Sequence, residues 1–132
     1  MVRTSRWPAA STDADFSPYL AGKPEASIEM FWRFVELART PGPVTFELQN
    51  GIIVLSGTQR IFASVRVLSS GLRGGLNLTR RLADRRIGKV GNLTQSVISH
   101  GYRVGSISDL DEEFGRWLAE ARAVGDGAYL AH

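Results

Sequence analysis

Between Pro24 and Arg39 the apolar residues Ile28, Phe31, Trp32 and Val35 fall at i, i+3, i+4 and i+7, the spacing of a helix with one buried stripe. Pro24 suits a first helical position, Glu25 favours the positive end of the helix dipole, and Pro41-Gly42-Pro43 stops the run. Glu29 and Arg33 are spaced to pair on the wet side. Near the C-terminus Leu110, Phe114, Trp117, Leu118 and Ala121 repeat the helical pattern, with Ser108 as the expected cap and Glu112 and Arg116 outside. Both tryptophans of these helices, Trp32 and Trp117, are expected in the core.

The chain between them alternates with a period of two. Val44, Phe46 and Leu48 interleave with Thr45, Glu47 and Gln49, and Asn50-Gly51 leads into Ile52-Ile53-Val54-Leu55, a hairpin joined by a type I′ turn. Ile61 to Leu68 reads as a strand, and Leu72 to Thr79 as one loosened by Gly74 and Gly75. Val90 to Leu93 makes a short strand and Val97 to Val104 a longer one, with Ile98, His100, Tyr102 and Val104 on one face and Ser99, Gly101 and Arg103 on the other. Arg80 to Lys89 is an ordered connection with exposed arginines. The predicted fold is α+β: a mostly antiparallel sheet of about five or six strands with N- and C-terminal helices packed on one face, the other face left open. Residues 1–18 are predicted as a flexible arm, 19–124 as the single domain and 125–132 as a tail.

Length and composition fit that plan, since 132 residues at 43% hydrophobic content supply one modest core. The absence of cysteine excludes disulfides, thiolate nucleophiles and thiolate metal sites. The sequence has neither a secretory leader nor an apolar run of the roughly 18 residues that span a membrane, and a cytoplasmic location is expected.

Charge changes the picture more. Arg60 to Arg103 holds nine basic residues against the single acid Asp84, a net +8, while the whole chain carries only +3. Fourteen of the sixteen basic residues are arginine, which fits a GC-rich coding sequence but leaves the local scarcity of acids unexplained. Guanidinium groups suit phosphate, so Arg80, Arg81, Arg85, Arg86 and Lys89 are the candidate ligand contacts of a non-catalytic module for an anionic partner, nucleic acid or a phosphorylated ligand. Against nucleic acid, the segment has only Phe62 and Tyr102 for base stacking, no recognition helix and no RNA-binding signature.

The alternative is a small-molecule enzyme with His100 as general acid or base on the open face and Tyr102 beside it. His100 on an otherwise apolar strand face also fits a structural histidine with satisfied ring nitrogens. Whether the chain is an enzyme stays open. Asp109, Asp111, Glu112 and Glu113 cluster at a helix start, where acids stabilise the dipole without an ion, so no metal and no cofactor is expected. Gly71-Leu72-Arg73-Gly74-Gly75 lacks the spacing of either nucleotide-binding glycine motif. The glycine-softened strands are compatible with a homodimer joined through a strand or sheet face.

Ala21-Gly22-Lys23-Pro24-Glu25 followed by Phe31, with the closing Asp109-Leu110-Asp111 and Trp117-Leu118, resembles the bacterial family called domain of unknown function 5655. The resemblance spans roughly Tyr19 to Val124 and includes a histidine, here His100, before the final strand-to-helix passage. It implies the same order of elements and, the family being uncharacterised, no activity.

Overall fold

The computed structural model describes residues 4–7, as main chain, and residues 16–128. In chain order the elements are β1 (Thr4–Trp7), α1 (Ser17–Leu20), α2 (Glu25–Arg39), β2 (Thr45–Gln49), β3 (Ile52–Ser56), β4 (Ile61–Leu68), β5 (Gly71–Leu78), β6 (Ile87–Asn92), β7 (Ile98–Val104), a 3-10 turn (Ile107–Asp109) and α3 (Glu112–Gly125). The strands form one seven-stranded antiparallel sheet, ordered β1-β2-β3-β4-β5-β7-β6. Helices α2 and α3 lie across β4 and β5 on one face, as the alternating pattern predicted, and the opposite face has no layer over it among the described residues. Among those residues no helix is long and apolar enough to cross a membrane.

The β2–β3 hairpin closes through Asn50 at φ 51° and Gly51 at φ 78°, the paired positive angles that an Asn-Gly turn tolerates. In α2 the buried set is Ser27, Met30, Phe31, Phe34, Val35, Leu37 and Ala38, so the helix is rotated from the stripe read off the sequence. Rotation brings Phe34 and Met30 inward and leaves Trp32 44% exposed at the flank, edge-to-face against Phe16 and Phe31. Ser27 donates to the Leu68 carbonyl at 2.6 Å, so the polar member of the stripe is satisfied where it is buried. Arg33 pairs with Glu36 and with the Leu110 carbonyl instead of Glu29. In α3 the stripe Phe114, Trp117, Leu118 and Ala121 is buried as the periodicity required. The helix starts later than Ser108: Ser106 caps the 3-10 turn, and the Asp111 carboxylate caps α3 by accepting from the Phe114 N–H.

The domain begins earlier than residue 19. Phe16 is 1% exposed and meets Phe31 at 5.0 Å and Phe46 at 5.4 Å between ring centres, and β1 adds an edge strand to β2. A lone aromatic in a polar run carries no periodicity, so burial of Phe16 was invisible before the chain closed. Residues 1–3, 8–15 and 129–132, with His132 and half of the expected tail, lie outside the described residues, as does the side chain of Trp7.

The core centres on Tyr102, which stacks on Phe34 at 6.1 Å, meets Phe114 edge-on at 5.2 Å and donates its hydroxyl to the Ser64 carbonyl at 2.7 Å. Gly74 makes that reach possible: a Cβ there would stand 2.0 Å from the Ser64 carbonyl oxygen and 2.7 Å from the Tyr102 hydroxyl. Gly74→Ala is therefore expected to cost more than about 2 kcal/mol of stability, because main chain must move. Urea unfolding measures it; an unchanged midpoint refutes the close approach.

Candidate functional site

The connection from β5 to β6 carries the arginines expected to contact a ligand, and it folds against the C-terminal acids. Arg86, expected at the surface, is 5% exposed. Its Nε donates to Asp84 Oδ1 at 2.9 Å, one terminal nitrogen reaches Asp111 Oδ1 at 2.9 Å and the Asp109 carbonyl at 2.7 Å, and the other reaches Glu113 Oε1 at 2.7 Å and Asp84 Oδ2 at 3.2 Å. The guanidinium lies 4.5 Å over the Trp117 ring, which fills its remaining face. Burying this charge is tolerable only because its donors are met in this way.

Arg80 makes a bidentate pair with Glu120, both bonds 2.8 Å, and Arg85 pairs with Asp109. Arg81 donates to the Asn92 side-chain oxygen at 3.0 Å. Of the proposed contacts, Lys89 stands exposed on the open side of the sheet, where it lines a cleft. Three arginines of the +8 segment, Arg80, Arg85 and Arg86, are thus paired within the molecule with acids distant in sequence. The bond from Arg86 pulls the Asp84 carboxyl down to about 2. The Phe114 N–H, then Arg86, lower Asp111, and the Arg80 pair lowers Glu120. Burial pushes Asp109 up, but Arg85 and the Gly105 and Ser106 N–H groups outweigh it.

His100 and Tyr102 lie on the helix-covered face, not on the open one that the enzyme alternative required. Tyr102 touches α2 and α3, and strand alternation puts His100 on the same side, fully buried. The His100 Nε2 accepts from the Leu82 N–H at 2.9 Å, and Nδ1 sits 3.1 Å from the Ile98 carbonyl. An acceptor at Nε2 and a donor at Nδ1 define a neutral ring, and burial lowers its pKa accordingly. Burial raises the Tyr102 phenol well above its ordinary value. The ring of His100 pins the β5–β6 connection to β7.

The uncovered face is organised differently. Arg66 pairs across β4 and β5 with Arg73, and Arg73 pairs across β5 and β7 with Arg103, so three guanidinium-bearing positions form one row over adjacent strands. Among the described residues none of these three side chains has a hydrogen-bond or ion-pair partner. Two residues along, on the same face, the row is Ser64, Gly75 and Gly101. A cleft of about 810 Å³ opens here, lined by Arg73, Arg103, Lys89 and Ser64, by the main chain of β5, β6 and β7, and by Ile52 and Leu93.

Arg66, Arg73 and Arg103 lie within the basic segment 60–103 but were not among the expected ligand contacts. Their opposite phase to the buried Val65, Leu72 and Tyr102 was readable; the registers joining them were not. Among the described residues no group of three His, Asp or Glu side chains converges as a metal site.

The fold and this face define a class: a small α+β domain with a one-sided antiparallel sheet and an unpaired basic row on its bare side. No family model, no curated protein and no solved structure matches the chain.

The charge network sets an acid limb. Carboxylates whose pKa is lowered by folding bind fewer protons in the folded state, so their stabilisation is complete above the ordinary Asp value near ~3.9 and is lost as pH falls toward about 2, the folded value of Asp84. Thermal unfolding from pH 5 to pH 2 (about the carboxylate range) should show the midpoint falling through this window. Arg86→Ala should cost about 2–4 kcal/mol at neutral pH and flatten that limb; an unaltered limb refutes the network's role.

His100 titrates below its ordinary value, so the unfolded chain takes the proton first and stability declines below about pH 6.5. His100→Ala is expected to cost about 2–4 kcal/mol, through a cavity and an unpaired Leu82 N–H, and to remove that slope. Chemical denaturation between pH 5 and 7 (about one unit either side of the free imidazole value) reads both effects.

Proposed function

We propose that the protein is a non-catalytic binding module for an anionic partner, nucleic acid or a phosphorylated ligand, and that the binding surface is the open sheet face. The observation that carries this reading is the in-register row Arg66, Arg73 and Arg103 without an acidic partner among the described residues. Side chains directly opposite on neighbouring strands stand about 5 Å apart, where like charges repel by on the order of 1 kcal/mol even in a watery dielectric. An anion bound across the row relieves that repulsion and gains charge-assisted hydrogen bonds. Lys89 belongs to this surface; Arg86 is buried within the fold, and Arg80, Arg81 and Arg85, though exposed, are engaged by Glu120, Asn92 and Asp109.

The buried, neutral His100 gives the acid-base alternative no support. A homodimer through the β6 edge gains none either, because that edge is broken by a bulge between Ile87 and Val90 and carries Lys89, features that oppose strand addition. Membership in the domain of unknown function 5655 family stays a proposal that rests on the resemblance of short sequence motifs such as Ala21-Gly22-Lys23-Pro24-Glu25.

Calorimetry with pyrophosphate tests the reading. Binding should weaken steeply as salt rises, and Arg66→Gln/Arg73→Gln/Arg103→Gln should weaken it by at least about tenfold. A folded Arg80→Gln/Arg81→Gln variant should bind as the native chain does. Loss of binding in the second variant but not the first sinks the assignment.

A further inference from the structure

Two glycines in the middle of the open face, Gly75 and Gly101, have no structural reason to be glycine. Gly71 and Gly74 do: a Cβ on either would meet a main-chain oxygen at 2.1 Å or 2.0 Å. At Gly75 the nearest atoms to a Cβ are at 3.6 Å, at Gly101 at 3.6 Å, and at Gly88 at 3.9 Å, all ordinary contact, while Gly91 has nothing within 4 Å. None of these four has a positive φ. Glycine in a strand forfeits side-chain packing and costs entropy, about 0.5–1 kcal/mol relative to alanine, so four on one cleft weaken the sheet with no return inside the fold. What they share is the cleft: all four line it, and together they strip its floor to peptide planes.

We infer that the cleft takes a small phosphorylated molecule with a planar, uncharged body, its phosphate at the Arg73 and Arg103 end and its body flat on Gly75 and Gly101. This rests on the anion-binding reading above and narrows it. Each glycine is two residues from an arginine of its own strand, about 7 Å along the same face, which matches a phosphate joined directly to a ring system. A floor without side chains lets a ring approach the peptide planes at van der Waals distance, and Ile52 and Leu93 supply apolar walls. The cleft volume, about 810 Å³, lies in the range of small-molecule sites. A nucleic-acid strand is disfavoured, because sequence-tolerant binding of single strands uses exposed aromatics, and Phe62 and Tyr102 are 1% and 2% exposed.

The test compares inorganic phosphate, naphthyl phosphate and a mixed-sequence single-stranded oligonucleotide by calorimetry on the full chain. Naphthyl phosphate should bind at least about tenfold more tightly than inorganic phosphate. In Gly75→Val and Gly101→Val, where an added Cβ meets nothing closer than 3.6 Å, that ratio should fall to about one, with thermal unfolding confirming a folded protein. In the native chain, intermolecular NOEs should connect the naphthyl ring protons to the α-protons of Gly75 and Gly101, a readout independent of any variant. Equal binding of the two phosphates, a ratio that survives both valines, absent NOEs, or tighter binding of the oligonucleotide overturns this inference while leaving the anion site standing. Failure of all three probes to bind overturns both.

Discussion

The anchoring of Arg86 is the interaction on which the arrangement of this sheet depends. The β5–β6 connection is polar and holds few apolar side chains, chiefly Leu82 and Ile87, to fix it against the core. A guanidinium shared among Asp84, Asp111 and Glu113 and stacked on Trp117 ties it to the start of α3. From there the Arg86 carbonyl accepts the Arg103 N–H at 2.9 Å, which sets where β6 begins beside β7. Without that anchor β6, the edge strand that supplies Gly88, Lys89 and Gly91 to the cleft, would have its bulged pairing to β7 alone.

A one-sided sheet then divides its residues by phase. On the helix side the aromatic group around Tyr102 and the His100 ring satisfy or bury every group they bring. On the open side the same strands present arginines and glycines, an arrangement that is electrostatically and sterically unfilled. The two sides are linked at single residues: Gly74 turns its bare position inward so that Tyr102 can cross to Ser64, while its neighbour Gly75 faces out. The His100 ring and the guanidinium of Arg86, conspicuous in the sequence, are both engaged inside the fold. The residues left available were less conspicuous because they are spread over four strands.

Much of this was legible in the sequence where the physics is local. The Asn50-Gly51 hairpin follows from backbone sterics at two residues, the α3 stripe from the helical period, and the opposite phases of Tyr102 and Arg103 from strand alternation. Where two periodic stripes competed, as in α2, the packing partner chose: Phe34 turned in toward Tyr102 and Trp32 remained at the rim. Phe16 joined the core because Phe31 and Phe46 converge on it, a convergence no local pattern encodes.

The sequence by itself determined the fold class, the hairpin, the two amphipathic helices and the charge imbalance of residues 60–103, because each is read from local periodicity, turn residues or composition. Only the tertiary structure decided which charges are paired and which share a face. Ion pairing between Arg86 and residues some 25 positions away, and the registers that align Arg66, Arg73 and Arg103, are long-range contacts set by how the strands pair and how α3 folds back. Coulomb attraction acts through space and not along the chain, so a basic run and a basic surface are different things.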